Sequence, residues 1–128
     1  MEEPMATIDE KYASVCHMTS AIFKEYAPLI TVLGDVTSQI IILDLLNAEN
    51  TGLRVGKIIE DTNLSRPAVS RHIGMLKDAG VVSVRKCGTM NYYFLSIGQD
   101  KWMPLRTLVE AMGFVSKNSL DERAIEVS

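Results

Sequence analysis

Arg66, Pro67, Ser70, Arg71 and Gly74 recur at i, i+1, i+4, i+5 and i+8, a spacing that gathers them on one face of a helix. Their chemistry is recognition, not bond making. An arginine guanidinium reaches a guanine edge with two parallel hydrogen bonds, and a serine hydroxyl serves either a base or a phosphate. Gly74 leaves room for close approach. Ser65, just before the stripe, has the side chain to cap such a helix. Arg85 and Lys86 sit just before a second turn, where long cations reach flanking phosphates or the minor groove and position a protein without specifying sequence. His72 lies at the border between the polar stripe and the apolar face, so it either touches DNA or hydrogen-bonds within the fold; the internal role is the favoured reading.

The elements that must position these residues are legible around them. Asn63 and Leu64 form a tight turn, asparagine being one of the few residues that tolerates a left-handed backbone. Ser65 caps a helix from Arg66 to Ala79, Pro67 is tolerated in the first turn, and Gly80 ends it. Val69, Ile73 and Leu76 form its apolar face, to be packed on Ile58, Ile59 and a core helix. That core helix is QIIILDLLNAE, apolar nearly all round and capped by Asp35 or Ser38. Leu53 to Val55 reads as a short strand and Gly56 to Thr62 as a short helix. VVSVRK and MNYYFLS, flanking Gly88, read as a β-hairpin. Short helix, tight turn, capped helix and basic hairpin, in that order, are the plan of a winged helix-turn-helix. An amphipathic helix from Ile8 to Tyr26, ended by Pro28, precedes it. A final one follows, with Trp102, Leu105, Leu108, Val109 and Met112 on its stripe, to about Lys117.

The 128 residues fit one domain, divided into an N-terminal dimerisation helix (8–34), a DNA-binding winged-helix core (35–96), a C-terminal dimerisation helix (100–118) and a flexible tail (119–128). The fold class is mainly α with a two-stranded β-wing. Net charge is −3, yet Arg54 to Phe94 holds seven basic against three acidic residues, a local +4. A phosphate backbone responds to the local field, which decays within about 8 Å at physiological salt, so the acidic total does not exclude DNA. The opening MEEPMATIDEKY is acidic where a secretory signal is basic and then apolar, and no stretch approaches 18 apolar residues. The expected location is the cytoplasm, with Cys16 and Cys87 reduced.

From Leu64 to Ser96 the chain reads LSRPAVSRHIGMLKDAGVVSVRKCGTMNYYFLS. This stretch resembles the ArsR/SmtB family of transcription regulators: Ser-x-His with a following Leu, then Ala-Gly-Val-Val, a basic pair, Gly, a tyrosine and Leu-Ser. Ser70, His72, Leu76, Ala79, Gly80, Val81, Gly88, Tyr93 and Leu95 carry the match, which is specific over about Ile40 to Ser96. The resemblance implies five or six helices with a two-stranded wing and a homodimer paired through its N- and C-terminal helices. It also implies an inverted-repeat operator overlapping a promoter. Two terminal amphipathic helices on a small domain independently suggest burial against a twofold copy.

The chain departs from the family's metal sensors. The segment VGKIIEDTNLS lacks the Cys-x-Cys pair of an arsenic-type site, and KWMPLRTLVEAMGFVSKN lacks the histidines of a zinc-type site. No metal site and no cofactor are expected, and the inducer is unassigned. Cys16 with His17 could join Cys87 or a partner-subunit residue in an intersubunit site. Alternatively, Cys16 or Cys87 is a redox-active thiol, Cys87 beside Arg85 and Lys86 being the better placed. The plainer readings are a small apolar residue at Cys16 and a turn residue at Cys87. The rival function is a winged-helix module that binds protein, which predicts weak DNA binding without sequence preference. An enzyme is disfavoured by the lack of a glycine-rich phosphate loop, a nucleophile–histidine pair or a carboxylate cluster.

Overall fold

Asn63 adopts the left-handed conformation (φ 60°, ψ 21°) and ends one helix; two residues later Ser65, extended at φ −71°, ψ 154°, accepts the Ala68 N–H at 3.2 Å and opens the next. These two stereochemical signals define the central turn of the fold. The computed structural model describes residues 7–48 and 51–119. Its elements are α1 (Ile8–Glu25), α2 (Ala27–Leu33), α3 (Val36–Asn47), α4 (Val55–Thr62), α5 (Arg66–Asp78), β1 (Val82–Cys87), β2 (Met90–Leu95) and α6 (Gln99–Asn118). They group into two compact units, Pro28–Gln99 and a second made of the chain before Pro28 and after Gln99.

In the Pro28–Gln99 unit, α3 starts where the Asp35 carboxylate accepts the Ser38 N–H at 2.8 Å. Ile41 and Leu45 of α3, Ile58 of α4, and Val69, Ile73 and Leu76 of α5 are buried together with Val81 and Val82. Helices α3, α4 and α5 pack on one another, and β2 lies against α3 and α4. Each such aliphatic side chain contributes about 1.5–3 kcal/mol by leaving water, so the apolar face of α5 is what fixes its polar face outward. The expected contact of Val69, Ile73 and Leu76 with the core is found.

The hairpin pairs Val82 with Leu95 through Cys87 with Met90, leaving Gly88 and Thr89 as the loop. Gly88 takes φ 64°, a conformation that costs glycine nothing. The short strand expected at Leu53 to Val55 reduces to one bridge: Leu53 and Tyr93 exchange backbone hydrogen bonds of 2.8 Å each way, and Val55 already belongs to α4. Gly52 makes this bridge sterically feasible. It has φ 76°, and a Cβ there would stand 3.1 Å from the Tyr93 carbonyl oxygen.

Two expectations change. The segment expected as one N-terminal dimerisation helix (8–34) is two helices: α1 ends at Glu25, and Pro28 occupies the first turn of α2, where a missing N–H breaks no intrahelical bond. Helix α3 is not wholly buried: Val36, Leu43 and Leu46 are 57–69% exposed, because only the Ser38, Ile41 and Leu45 side meets its neighbours.

In the other unit, α1 opens with a reciprocal cap. Thr7 Oγ1 accepts the Glu10 N–H at 3.1 Å, and the Glu10 carboxylate accepts the Thr7 N–H at 3.2 Å. In α6, Leu108 and Ala111 are buried, while Trp102, Val109 and Met112 of the predicted stripe are exposed. A shallow, mostly apolar groove lies between α1 and α6, lined by Cys16, Phe23, Met112 and Val115 among others. No single helix among the described residues is long and apolar enough to cross a membrane. Apart from Ser119, the expected flexible tail lies outside the described residues.

Candidate nucleic-acid interface

Helix α5 exposes Ser65 at its cap and Arg66, Pro67, Ser70 and Arg71 along its outer face, with Gly74 half-buried beyond them. The spacing read from the sequence therefore becomes one continuous polar surface. No intramolecular partner engages the Arg66 or Arg71 guanidinium among the described residues, so both forks are available to a ligand.

His72 is different. Its side chain is 14% exposed, with Nδ1 2.9 Å from the Ala68 carbonyl oxygen and Nε2 3.3 Å from the Asp35 carboxylate. Both neighbours are acceptors, so both contacts are hydrogen bonds when the ring carries two protons. Asp35 answers to two elements: hydrogen bonding from the Ser38 backbone, helped by the His72 charge, holds its carboxyl below the usual carboxylate range. The internal role weighed for His72 accounts for both ring nitrogens.

The wing separates its two cations. Consecutive residues on a strand face opposite ways, so Arg85 and Lys86 serve different sides of the hairpin. Arg85 is drawn back: Nη2 donates to the Thr51 carbonyl at 3.3 Å, and the guanidinium lies 6.0 Å from the centre of the Tyr92 ring, its cross-strand neighbour. Lys86, opposite Asn91, is exposed.

Sequence reasoning placed no role on Arg54 or Lys57, although both counted toward the local positive charge. The fold brings them to a cleft of about 570 Å³ between the start of α4, the start of α5 and the wing, which Arg66 also lines. Only the Leu53–Tyr93 bridge, a tertiary pairing, reveals this proximity.

Residues 38–84 match the family described as "Bacterial regulatory protein, arsR family". The chain is 40% identical over 73 residues to the uncharacterized HTH-type transcriptional regulator MJ1325 of Methanocaldococcus jannaschii, a match covering 57% of this chain and 80% of that one. It is 34% identical over 84 residues to the transcriptional repressor SdpR of Bacillus subtilis, covering 62% and 82% respectively. The chain belongs to the ArsR family. Its fold follows that of an ArsR-like transcriptional regulator from Rhodococcus sp. RHA1, with a TM-score of 0.67 at 20% identity over 84% of this chain and 94% of the other. The six helices and the two-stranded antiparallel sheet of the described residues match the winged-helix plan of ArsR-like structures, and the chain is a transcriptional regulator.

Within this ArsR-family fold neither cysteine is bonded. Cys16 is half-buried in the α1–α6 groove, and Cys87 is exposed at the wing tip, paired across the strand with Met90. Behind the helix-turn-helix, burial and a hydrogen bond with Asp61 push the Asp44 carboxyl up to about 6. Asp61 in turn is held below its ordinary value by Lys57, whose Nζ lies 3.0 Å away.

Proposed function

We propose that this ArsR-family regulator is a sequence-specific DNA-binding repressor acting as a homodimer on an inverted-repeat operator. The observation that carries the reading is the division of α5. Val69, Ile73 and Leu76 are committed to the core, while Arg66, Ser70 and Arg71 stand on the opposite, solvent-facing side with no competing partner among the described residues. Arg71 and Arg66 read base edges in the major groove; Ser65, Pro67 and Ser70 fit the helix start against the groove wall. Lys86 meets flanking phosphate, and Arg85 supports the wing through Thr51 and Tyr92.

Dimerisation is supported by apolar surface that a single chain leaves in water: Ile8 and Phe23 on α1, and Trp102, Val109 and Met112 on α6, are each more than two-fifths exposed. A twofold copy would bury it and set two α5 helices roughly 34–36 Å apart, one per major groove. Occupying a promoter in this way blocks polymerase.

Fluorescence anisotropy against the DNA upstream of the protein's own gene and a scrambled duplex, at two salt concentrations, tests the reading. Tight, salt-sensitive binding that prefers the native duplex supports it. Equal weak binding to both favours a winged-helix module that recognises another protein.

A further inference from the structure

We infer that the cleft between α4, α5 and the wing is a binding site for a phosphate group of the DNA backbone, held chiefly by Arg54. The inference rests on the DNA-binding reading and adds a site outside its recognition stripe and wing cations.

Three cations from two helix starts line the cleft, Arg54, Lys57 and Arg66, against one carboxylate, Glu60. They are not equivalent. Lys57 is engaged by Asp61 at 3.0 Å and Glu60 at 3.8 Å, so its charge is largely answered within α4. Arg54 and Arg66 are exposed, and their guanidinium groups have no hydrogen-bond or ion-pair partner among the described residues. A guanidinium left unpaired beside a concave surface is suited to a phosphate, which accepts two parallel hydrogen bonds from it.

Arg54 is also anchored where it stands. The bridge between Leu53 and Tyr93 fixes the preceding residue, and Arg54 itself is the extended cap residue of α4 (φ −80°, ψ 155°). The floor of the cleft adds to the attraction without defining it. No side chain caps α4, no acidic residue occupies its first turn, and a Cβ built on Gly56 would meet nothing within 4 Å. Asn91 and Thr89 of the wing supply neutral hydrogen-bonding groups on the facing wall.

Arg66 decides the source of the phosphate. It belongs both to the cleft and to the outer stripe of α5, so the cleft continues the surface proposed to enter the groove.

The test uses the full chain and its upstream duplex, with the scrambled duplex alongside, across roughly 50 to 200 mM salt. Arg54→Ala should weaken binding to both duplexes by the same factor and reduce the slope of log affinity against log salt by about 0.9, the value of one phosphate contact. Lys77→Ala, which removes the same charge from the far end of α5, should leave the slope unchanged. Arg54→Gln, which keeps most of the side-chain length, should behave as Arg54→Ala and serves if the alanine variant fails to fold. A wild-type slope in both Arg54 variants, with wild-type protein binding DNA, overturns the cleft assignment alone. Failure of the wild type to bind either duplex overturns the DNA-binding reading and this inference with it. Thermal stabilisation by inorganic phosphate that Arg54→Ala abolishes, with the DNA slope untouched, shows a free phosphate ligand and overturns the DNA source.

Discussion

His72 Nε2 lies 3.3 Å from the Asp35 carboxylate, so the residue that caps the core helix α3 also holds the middle of α5. One carboxylate thereby links the start of one helix to the orientation of another. Asp35→Ser keeps an N-cap acceptor and removes the charge facing His72; Asp35→Ala removes both. The expected order of urea midpoints is wild type, then serine, then alanine. His72→Gln should lower the midpoint while leaving the preference for operator over scrambled DNA intact. A variant with wild-type stability and lost preference would move His72 to the DNA surface.

Arg71 and Lys86 should separate specificity from attraction. Arg71→Ala is expected to weaken binding to the native duplex by about 1–3 kcal/mol and the scrambled duplex much less, because a base-edge contact carries sequence information. Lys86→Ala should weaken both alike and lower the salt slope by about one. Anisotropy titrations at several salt concentrations read both. Equal loss on the two duplexes for Arg71→Ala removes it from base readout.

Much of this fold was legible because it rests on local stereochemistry. The left-handed Asn63, the Ser65 cap and the Gly88 turn each express a preference of one residue type, and all three stand where expected. The outer face of α5 followed from periodicity. What was missed depends on contacts between distant segments. Pro28 signals a helix end and a helix start equally well, so the sequence does not mark α2 as a separate helix within the N-terminal segment 8–34. Periodicity showed α3 to be apolar but not which side would be covered. Arg85 and Lys86 read as one basic pair until strand pairing set them on opposite faces, and Arg54 gained a role only through the Leu53–Tyr93 bridge.

Gly52 is constrained both by its backbone conformation and by its neighbours. An alanine at φ 76° with its Cβ 3.1 Å from the Tyr93 oxygen is strained in both backbone and contact. Gly52→Ala should cost more than about 1 kcal/mol, by the penalty of a side chain in the left-handed region plus loss of the bridge. Chemical denaturation measures it. Unchanged stability would mean that the segment moves away from β2 without loss.

Ser38 offers the opposite sign. Its side chain is fully buried, and no group among the described residues stands in good hydrogen-bonding geometry to Oγ. Its backbone N–H, which Asp35 accepts, is untouched by substitution. Ser38→Ala relieves a buried unsatisfied hydroxyl and improves helix propensity, so a gain of about 1 kcal/mol is expected. A higher urea midpoint at unchanged slope bears this out; destabilisation would mean that the hydroxyl, like the backbone N–H, donates to the Asp35 carboxylate.

Asp44 should make stability fall as pH rises. Burial first, then the hydrogen bond with Asp61, raises its folded-state value to about 6 from the ordinary 3.8, so between those limits the folded chain holds a proton that the unfolded chain has released. The stabilisation is complete below the unfolded value and disappears as pH rises through the folded one. Asp35 and Asp61 shift the other way, and what they contribute is lost only as pH falls below their ordinary range, outside this window. Urea midpoints at about pH 4.5 and about pH 7.5 should therefore differ, the lower pH being the more stable. Asp44→Asn donates to Asp61 at every pH and should flatten the difference, gaining on wild type at the higher pH. A wild-type profile already flat across this range would mean that Asp44 and Asp61 are both charged in the folded chain, with Lys57 balancing the pair.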